Sequence, residues 1–296
     1  MLDSDKKNII EKEGTYRLQN GAAIYAKTLN TLDGNGKSAI FIHGGGSGGN
    51  HTIVYRPSCW LLNKGLYSKI ILPDRRGAGH STPMSTVMSY EDNALDMKQL
   101  LDSMGAVGDV TAIGVSYGGP IALTLAAIDE RINEVILVAS SPSLKPAKGI
   151  VGFLYHTGLL EKLVKSVYSK NIGKLEPEYP DFDCAYDTKK VSELKLIFFN
   201  AIRHMEKKRL QSLLLENAST CDVKNAGIST RHKINVPVFR IIGTKDETWE
   251  VELGNRYEAH IPNIKSVYIQ NAGHKDVFFR ASEFYGALAV EILNCK

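Results

Sequence analysis

Residues 113–120, IGVSYGGP, place one serine between two glycines at the junction of two apolar runs. The run before Ser116 is short and β-branched, as in a buried strand, and the run after it is apolar almost all round, as in a buried helix. A strand that turns directly into a helix strains its corner residue, and Gly114 and Gly118 leave the room such a turn needs. The pattern predicts a nucleophile elbow with the Ser116 hydroxyl at the carboxyl edge of a sheet; the alternative is an ordinary serine in a glycine-rich turn.

The rest of the chain alternates short β-rich runs with helical patterns. Two runs joined by Asn20-Gly21 read as a hairpin, and six further runs follow, which gives eight predicted strands. The clearest helix covers residues 90–104, where Ser89 can cap the start and Gly105 can end it. This alternation predicts an α/β fold with a mostly parallel, eight-stranded sheet and helices on both faces. The eight runs are TYRLQN, AAIYAKTL, SAIFIHG, SKIILPD, VTAIGV, EVILVAS, VPVFRIIG and KSVYIQ.

The alternation stops after Ser141 and resumes near Lys233. Between these points the sequence is mostly helical in pattern, with the proline-rich EPEYP in the middle. We therefore predict a core domain made of residues 1–141 and 233–296, with residues 142–232 forming a helical insertion. A further helix is predicted at residues 278–293.

Composition excludes several classes of protein. Hydrophobic residues make up 43% and charged residues 23% of the 296 residues, and the net charge of +4 is too small to indicate a nucleic-acid partner. No stretch reaches the roughly 18 apolar residues of a membrane span, and the charged N-terminal stretch does not resemble a signal peptide. The four cysteines are too scattered for a zinc site. We expect a cytoplasmic protein with free thiols and with no metal and no membrane partner; the cysteines are Cys59, Cys184, Cys221 and Cys295.

A serine hydroxyl becomes a useful nucleophile only when a base removes its proton. His274, in NAGHKD, follows the last predicted strand and therefore lies at the same sheet edge as Ser116. Asp246, in GTKDETW, follows the preceding strand and can orient the imidazole, whereas its neighbour Glu247 should point elsewhere. The order Ser116, Asp246, His274 is the order of a catalytic triad on this type of sheet. The less favoured histidines, in loops, in the insertion or at helix ends, are His51, His156, His204, His232 and His260; the less favoured acids are Asp222 and Asp276.

The stretch FIHGGGSGGN begins where a predicted strand ends at Ile42. Its residues 43–49, called the glycine loop below, have backbone amides that can donate to a developing negative charge. An amide near Gly45 and the amide of Tyr117 would together form an oxyanion hole. Phosphate binding is the competing interpretation, but the loop lacks the lysine of a phosphate-binding loop. His43 is expected to make structural hydrogen bonds there, and no cofactor is required.

These segments together resemble the α/β-hydrolase superfamily, and the resemblance spans most of the chain. The segment LPDRRGAGHST looks like the loop after the fourth strand in that superfamily, which implies structural roles for Asp74, Arg76, Gly77 and Gly79. The insertion resembles the cap of these enzymes. A weaker resemblance connects the chain with prolyl iminopeptidases, which carry Gly-Gly-Pro-Gly and a Trp after the nucleophile where this chain has Gly-Gly-Gly-Ser and Tyr117.

The resemblance implies a serine hydrolase that cleaves an ester or related acyl bond of a small-molecule substrate through an acyl-enzyme. An aminopeptidase or a carbon–carbon bond hydrolase on the same site is one alternative, and a non-catalytic receptor of the same fold is another. The natural substrate and the oligomeric state stay open. Candidate pocket residues are Phe153, Leu154, Tyr155, Phe198 and Phe199; candidate carboxylates for a substrate amine are Glu176, Glu178, Asp181, Asp183, Glu206 and Glu216.

Overall fold

The computed structural model of the chain describes residues 9–32, 34, 36–46, 49–140, 207–219, 234–248 and 261–274, with scattered positions between 153 and 205. All eight predicted strands are present in one sheet. The strands are β1 (Ile9–Arg17), β2 (Ala23–Thr31), β3 (Ser38–Ile42), β4 (Lys69–Pro73), β5 (Val110–Val115), β6 (Ile132–Val138), β7 (Val238–Gly243) and β8 (Ile264–Ile269). The helices are α1 (Thr52–Asn63), α2 (Tyr90–Ser103), α3 (Gly118–Ile128) and α4 (Lys207–Ser219).

The strand order across the sheet is β1-β2-β4-β3-β5-β6-β7-β8. The β1–β2 and β2–β4 pairs are antiparallel and every other pair is parallel, which confirms the predicted mostly parallel sheet. In the β3–β5 pair, Ile42 lies beside Gly114, so the glycine loop and the serine turn leave the sheet at the same edge. The register thus brings the two segments that sequence analysis singled out to one place.

Strand β1 begins at Ile9, six residues before the predicted run at Thr15. The added residues include Glu11, Lys12 and Glu13, whose charges conceal the strand from a hydrophobicity pattern. These three side chains are exposed, because β1 is the edge strand and pairs only with β2. A charged edge strand is a common protection against pairing with other chains.

Two apolar layers cover the two faces of the sheet. Helix α1 packs on one face, where the buried Cys59, a free thiol as expected, contributes to the layer. Helices α2 and α3 pack on the other face. Helix α2 starts at the predicted cap, where Ser89 and Asp92 form a reciprocal capping box. The predicted helices on both faces of the sheet are therefore confirmed. The other three cysteines, Cys184, Cys221 and Cys295, lie outside the described residues.

Helix α4 lies within the predicted insertion and contacts the loop after β4 directly. The Ser212 hydroxyl accepts a hydrogen bond from the Met84 backbone N–H (2.8 Å), and the Arg209 guanidinium donates to the Ala78 carbonyl (3.2 Å). Most of residues 142–232, and the helix predicted at 278–293, lie outside the described residues, so the division into domains stays a prediction. Within the ranges given above, no helix has the length and hydrophobicity that crossing a bilayer requires.

Candidate active site

Ser116 occupies the sharp turn between β5 and α3, with a φ of 50°. A non-glycine residue in this left-handed region costs about 1–3 kcal/mol, so its surroundings must hold it there. Its backbone N–H donates to the Val138 carbonyl (3.0 Å), and its carbonyl accepts from the Ser140 hydroxyl (2.6 Å). A Cβ atom on Gly114 would lie 2.3 Å from the Gly118 carbonyl oxygen, and one on Gly118 would lie 2.4 Å from the Ile42 carbonyl oxygen, which explains why both positions are glycine.

The structure brings the three predicted side chains into one chain of hydrogen bonds. The Ser116 hydroxyl lies 3.0 Å from His274 Nε2, to which it can donate its proton. On the other side of the ring, His274 Nδ1 donates to Asp246 Oδ2 at 2.9 Å. The Asp246 carboxylate is fully buried and the imidazole is 14% exposed. A hydroxyl, an imidazole and a carboxylate in this order can move a proton from the serine oxygen to the histidine.

The approach of Asp246 to His274 follows from how the ends of β7 and β8 are joined. The Lys245 backbone N–H donates to the Ala272 carbonyl (2.9 Å). Gly243 lies so close to the same carbonyl that a Cβ atom would be 2.1 Å from its oxygen. One oxygen of the Asp246 carboxylate accepts the Thr248 backbone N–H (2.9 Å), which leaves the other for the imidazole. Glu247 is exposed, in agreement with the expectation that it points elsewhere.

The glycine loop lies beside the serine turn. A Cβ atom on Gly45 would be 3.1 Å from the Cβ atom of Tyr117, so the two predicted amide donors belong to neighbouring residues in space. Within the part of the chain that the structure describes, neither the Gly45 nor the Tyr117 backbone N–H has a hydrogen-bond acceptor. The predicted oxyanion hole requires two such N–H groups without an acceptor of their own.

His43 makes structural hydrogen bonds at the start of the glycine loop, as expected. Its Nδ1 donates to the Gly44 carbonyl (2.7 Å), and its Nε2 accepts the Arg75 backbone N–H (3.0 Å). Complete burial, followed by the nearby Arg75 charge, lowers the pKa of His43 to about 3. The imidazole is thus neutral at physiological pH, with both nitrogens in use, and it does not compete with His274 as a base.

His43 should make the protein less stable in mild acid. In the unfolded chain this imidazole titrates near its ordinary pKa, so the unfolded state binds a proton at pH values where the folded state does not. The contribution of the neutral His43 to the free energy of unfolding is complete above pH 6.5 and is lost as the pH falls towards 3. Linkage predicts a loss of about 2 kcal/mol in the free energy of unfolding between about pH 7 and pH 5 from this group. Urea unfolding of the wild type and of His43→Asn at both pH values measures it; an equal pH dependence in the two proteins would contradict it.

The DRRG segment has the structural role that the resemblance implied. The buried Asp74 carboxylate accepts the backbone N–H groups of His51 (2.7 Å) and His80 (2.8 Å). Arg76 forms a bidentate ion pair with the Asp96 carboxylate, with N–O distances of 2.9 and 2.6 Å. These contacts fix the turn after β4 rather than reaching towards Ser116.

A buried ion pair beside the glycine loop escaped the sequence analysis. Arg75, which is 1% exposed, donates to Glu216 Oε2 of helix α4 at 2.7 Å. Glu216 Oε1 accepts the Gly46 backbone N–H, also at 2.7 Å. The hydroxyl of Tyr117 donates to Ser219, whose own proton goes to the Glu216 carbonyl. The two partners lie 141 positions apart in the chain, so no local sequence pattern connects them.

Only part of the predicted pocket wall can be located. Phe153 is 63% exposed, and Leu154 packs against Ala218 of helix α4. The remaining pocket candidates, Tyr155, Phe198 and Phe199, lie outside the described residues. The same holds for the candidate amine-binding carboxylates Glu176, Glu178, Asp181, Asp183 and Glu206. It also holds for the less favoured triad candidates His156, His204, His232, His260, Asp222 and Asp276. Glu216 is thus the one predicted substrate-amine carboxylate whose contacts are known.

Residues 39–287 match the profile of the "Alpha/beta hydrolase family". The chain belongs to the alpha/beta hydrolase family. The sequence of this alpha/beta hydrolase is similar to Lipase 1 of Psychrobacter immobilis, with 27% identity over 263 residues that cover 85% of this chain and 74% of the lipase. These findings confirm the resemblance to the α/β-hydrolase superfamily and the prediction that the protein is a hydrolase.

Solved structures show the same fold at low sequence identity. A thermophilic esterase from Thermogutta terrifontis has a TM-score of 0.69 and 17% identity, covering 96% of this chain and 98% of the esterase. The enol-lactonase from Burkholderia xenovorans LB400 has a TM-score of 0.68 and 17% identity, covering 95% of this chain and all of the lactonase (100%). The fold class predicted for this alpha/beta hydrolase is therefore confirmed.

Proposed function

We propose that this alpha/beta hydrolase is a serine hydrolase that cleaves an ester or related acyl bond of a small-molecule substrate. The observation that carries the proposal is the hydrogen-bond chain from Ser116 through His274 to Asp246, with contacts of 3.0 and 2.9 Å. These residues are the nucleophile, the general base and the orienting carboxylate. The chemistry of such a site is complete without a metal or an organic cofactor.

In the first half of the reaction, His274 Nε2 takes the Ser116 proton while the serine oxygen attacks the carbonyl carbon. The carbonyl oxygen becomes negatively charged and accepts the N–H groups of Gly45 and Tyr117. One such donor contributes about 3–4 kcal/mol to the transition state. Asp246 holds the imidazole so that Nε2 faces the serine, and it stabilises the positive charge that the ring acquires.

In the second half, the proton on His274 Nε2 passes to the leaving oxygen as its bond to the carbonyl carbon breaks. An acyl group then remains on Ser116. Water enters, gives a proton to His274 and attacks the same carbon. Collapse of that intermediate releases the acid, and the proton returns from His274 to Ser116.

An ester is favoured over a peptide with a free amino terminus. An aminopeptidase needs an unpaired carboxylate to bind the substrate ammonium group. Glu216, the candidate of this kind within the described residues, is already bound to Arg75 and to the Gly46 amide. The similarity to proteins named as a lipase, an esterase and an enol-lactonase also supports an ester or lactone substrate.

A fluorophosphonate probe combined with a substrate panel tests this function. We expect the probe to label Ser116, as mapped by peptide mass spectrometry, and p-nitrophenyl acetate, butyrate and octanoate to be hydrolysed. The p-nitroanilides of alanine and proline should react far more slowly. Faster cleavage of the anilides would favour the aminopeptidase, labelling without turnover of any ester would favour the receptor, and labelling at another residue would overturn the proposal.

A further inference from the structure

Buried side chains make several hydrogen bonds to the backbone of the glycine loop, although glycine is the most flexible residue. Gly44 C=O accepts two donors, Arg75 Nη2 at 2.8 Å and His43 Nδ1 at 2.7 Å. Two positions later, the Gly46 N–H donates to Glu216 Oε1 at 2.7 Å. Both peptide units that meet at the Gly45 α-carbon are therefore fixed by buried side chains.

Fixing the Gly44 carbonyl also fixes the direction of the Gly45 N–H. The two groups belong to one planar trans peptide unit and point in opposite directions. The guanidinium that binds the carbonyl therefore orients the N–H away from itself. Gly45 lies beside Tyr117, because a Cβ atom on Gly45 would be 3.1 Å from the Tyr117 Cβ atom. The Arg75 guanidinium carbon also lies 4.7 Å from the centre of the Tyr117 ring. The same side chain thus contacts the peptide unit that carries one proposed oxyanion donor and the residue that supplies the other.

Glu216 holds Arg75 in this position and balances the positive charge of its guanidinium group. The two side chains are 1% and 10% exposed, and a buried charge without its partner is strongly unfavourable. The carboxylate also packs on the loop itself, since a Cβ atom on Gly45 would lie 2.5 Å from Glu216 Oε1. The pair is neutral overall, so it orders the loop without placing a net charge beside the developing oxyanion.

We propose that Arg75 and Glu216 are positioning residues of the oxyanion hole, which together aim the Gly45 N–H at the reacting carbonyl oxygen. This inference rests on the proposed serine hydrolase function. Glu216 would thus influence the chemical step by ordering the glycine loop and not by contacting the substrate.

Four variants of the full chain test the inference with p-nitrophenyl butyrate. Glu216→Ala and Arg75→Met should each lower kcat by about 100-fold, the size of a lost oxyanion donor, with KM changed less than about threefold. Glu216→Gln keeps the size of the side chain but offers one oxygen to two donors, Arg75 Nη2 and the Gly46 N–H. Its kcat should therefore lie between those of the wild type and Glu216→Ala. Lys208→Ala, an exposed position on the same helix, is the matched control and should behave as the wild type.

Inhibition by butylboronic acid separates positioning from general structural support. Its adduct with Ser116 is a tetrahedral anion that needs the oxyanion hole, whereas KM reports mainly ground-state binding. The inhibition constant should rise by the same factor by which kcat falls. A structural defect alone would lower the folded fraction, measured by circular dichroism, without changing the inhibition constant of the folded enzyme.

The outcomes separate failure of this inference from failure of the proposed function. If Ser116→Ala keeps full activity, the serine mechanism is wrong and the inference is lost with it. If Ser116→Ala is inactive but Glu216→Ala keeps kcat within about threefold, only the positioning role is overturned. The role is also overturned if KM rises at constant kcat, or if Glu216→Gln has the kcat of the wild type. The glutamine variant keeps the test decisive should the alanine variant not fold.

Discussion

Replacing Ser116 by alanine should lower kcat/KM for p-nitrophenyl butyrate by about 10⁴- to 10⁶-fold, the range seen when a serine nucleophile is removed. The Ser116 hydroxyl lies 3.0 Å from His274 Nε2, and alanine has no oxygen at this position. The fold should persist, because Ser116 bonds to Val138 and Ser140 through its backbone only. Steady-state kinetics and a urea unfolding curve measure the two effects separately.

Ser103→Ala is the matched control for this change. Ser103 is an exposed serine of helix α2, and its hydroxyl donates to the Gln99 carbonyl of the same helix. Its kinetics should equal those of the wild type. Activity of Ser116→Ala within about tenfold of the wild type, well above the residual rate that binding and the oxyanion hole give, would remove Ser116 as the nucleophile.

Replacing Asp246 by asparagine should lower kcat by about 10⁴-fold while changing the shape of the site very little. The carboxylate accepts the Nδ1 proton of His274 at 2.9 Å, which leaves Nε2 free to take the serine proton. An amide in its place can donate to Nδ1, which favours the tautomer whose Nε2 carries hydrogen. It also removes the charge that stabilises the protonated ring. Stopped-flow or steady-state assays with p-nitrophenyl butyrate measure the loss.

Glu247→Gln provides the comparison for Asp246→Asn, since it makes the same chemical change at the next residue. Glu247 is exposed and should tolerate the amide with unchanged kcat. An equally large loss in both variants would point to a general electrostatic effect of this turn. Full activity of Asp246→Asn would show that another group orients the imidazole.

The features of the fold that sequence analysis found are those that depend on local pattern. Eight apolar runs gave the eight strands, and G-x-S-x-G between a strand and a helix gave the turn that holds Ser116 at a φ of 50°. The first residues of β1 were missed because an edge strand is not selected for hydrophobicity, and its Glu11, Lys12 and Glu13 face solvent.

The three side chains of the candidate site could be named because each follows a strand of one parallel sheet. Parallel strands end at a common edge, so position along the chain was sufficient to predict proximity. The Arg75–Glu216 pair had no such rule to reveal it. Its members come from the turn after β4 and from helix α4, and only tertiary packing determines that Glu216 faces the glycine loop.

The attachment of helix α4 to the glycine loop has a consequence for engineering. Exchanging residues 142–232 for the corresponding segment of another hydrolase is an obvious way to change substrate range. In this chain, that exchange would also remove Glu216 and Ser219, the partners of Arg75 and Tyr117. A chimera should therefore carry both positions into the transplanted helix, or replace Arg75 and Tyr117 together with it.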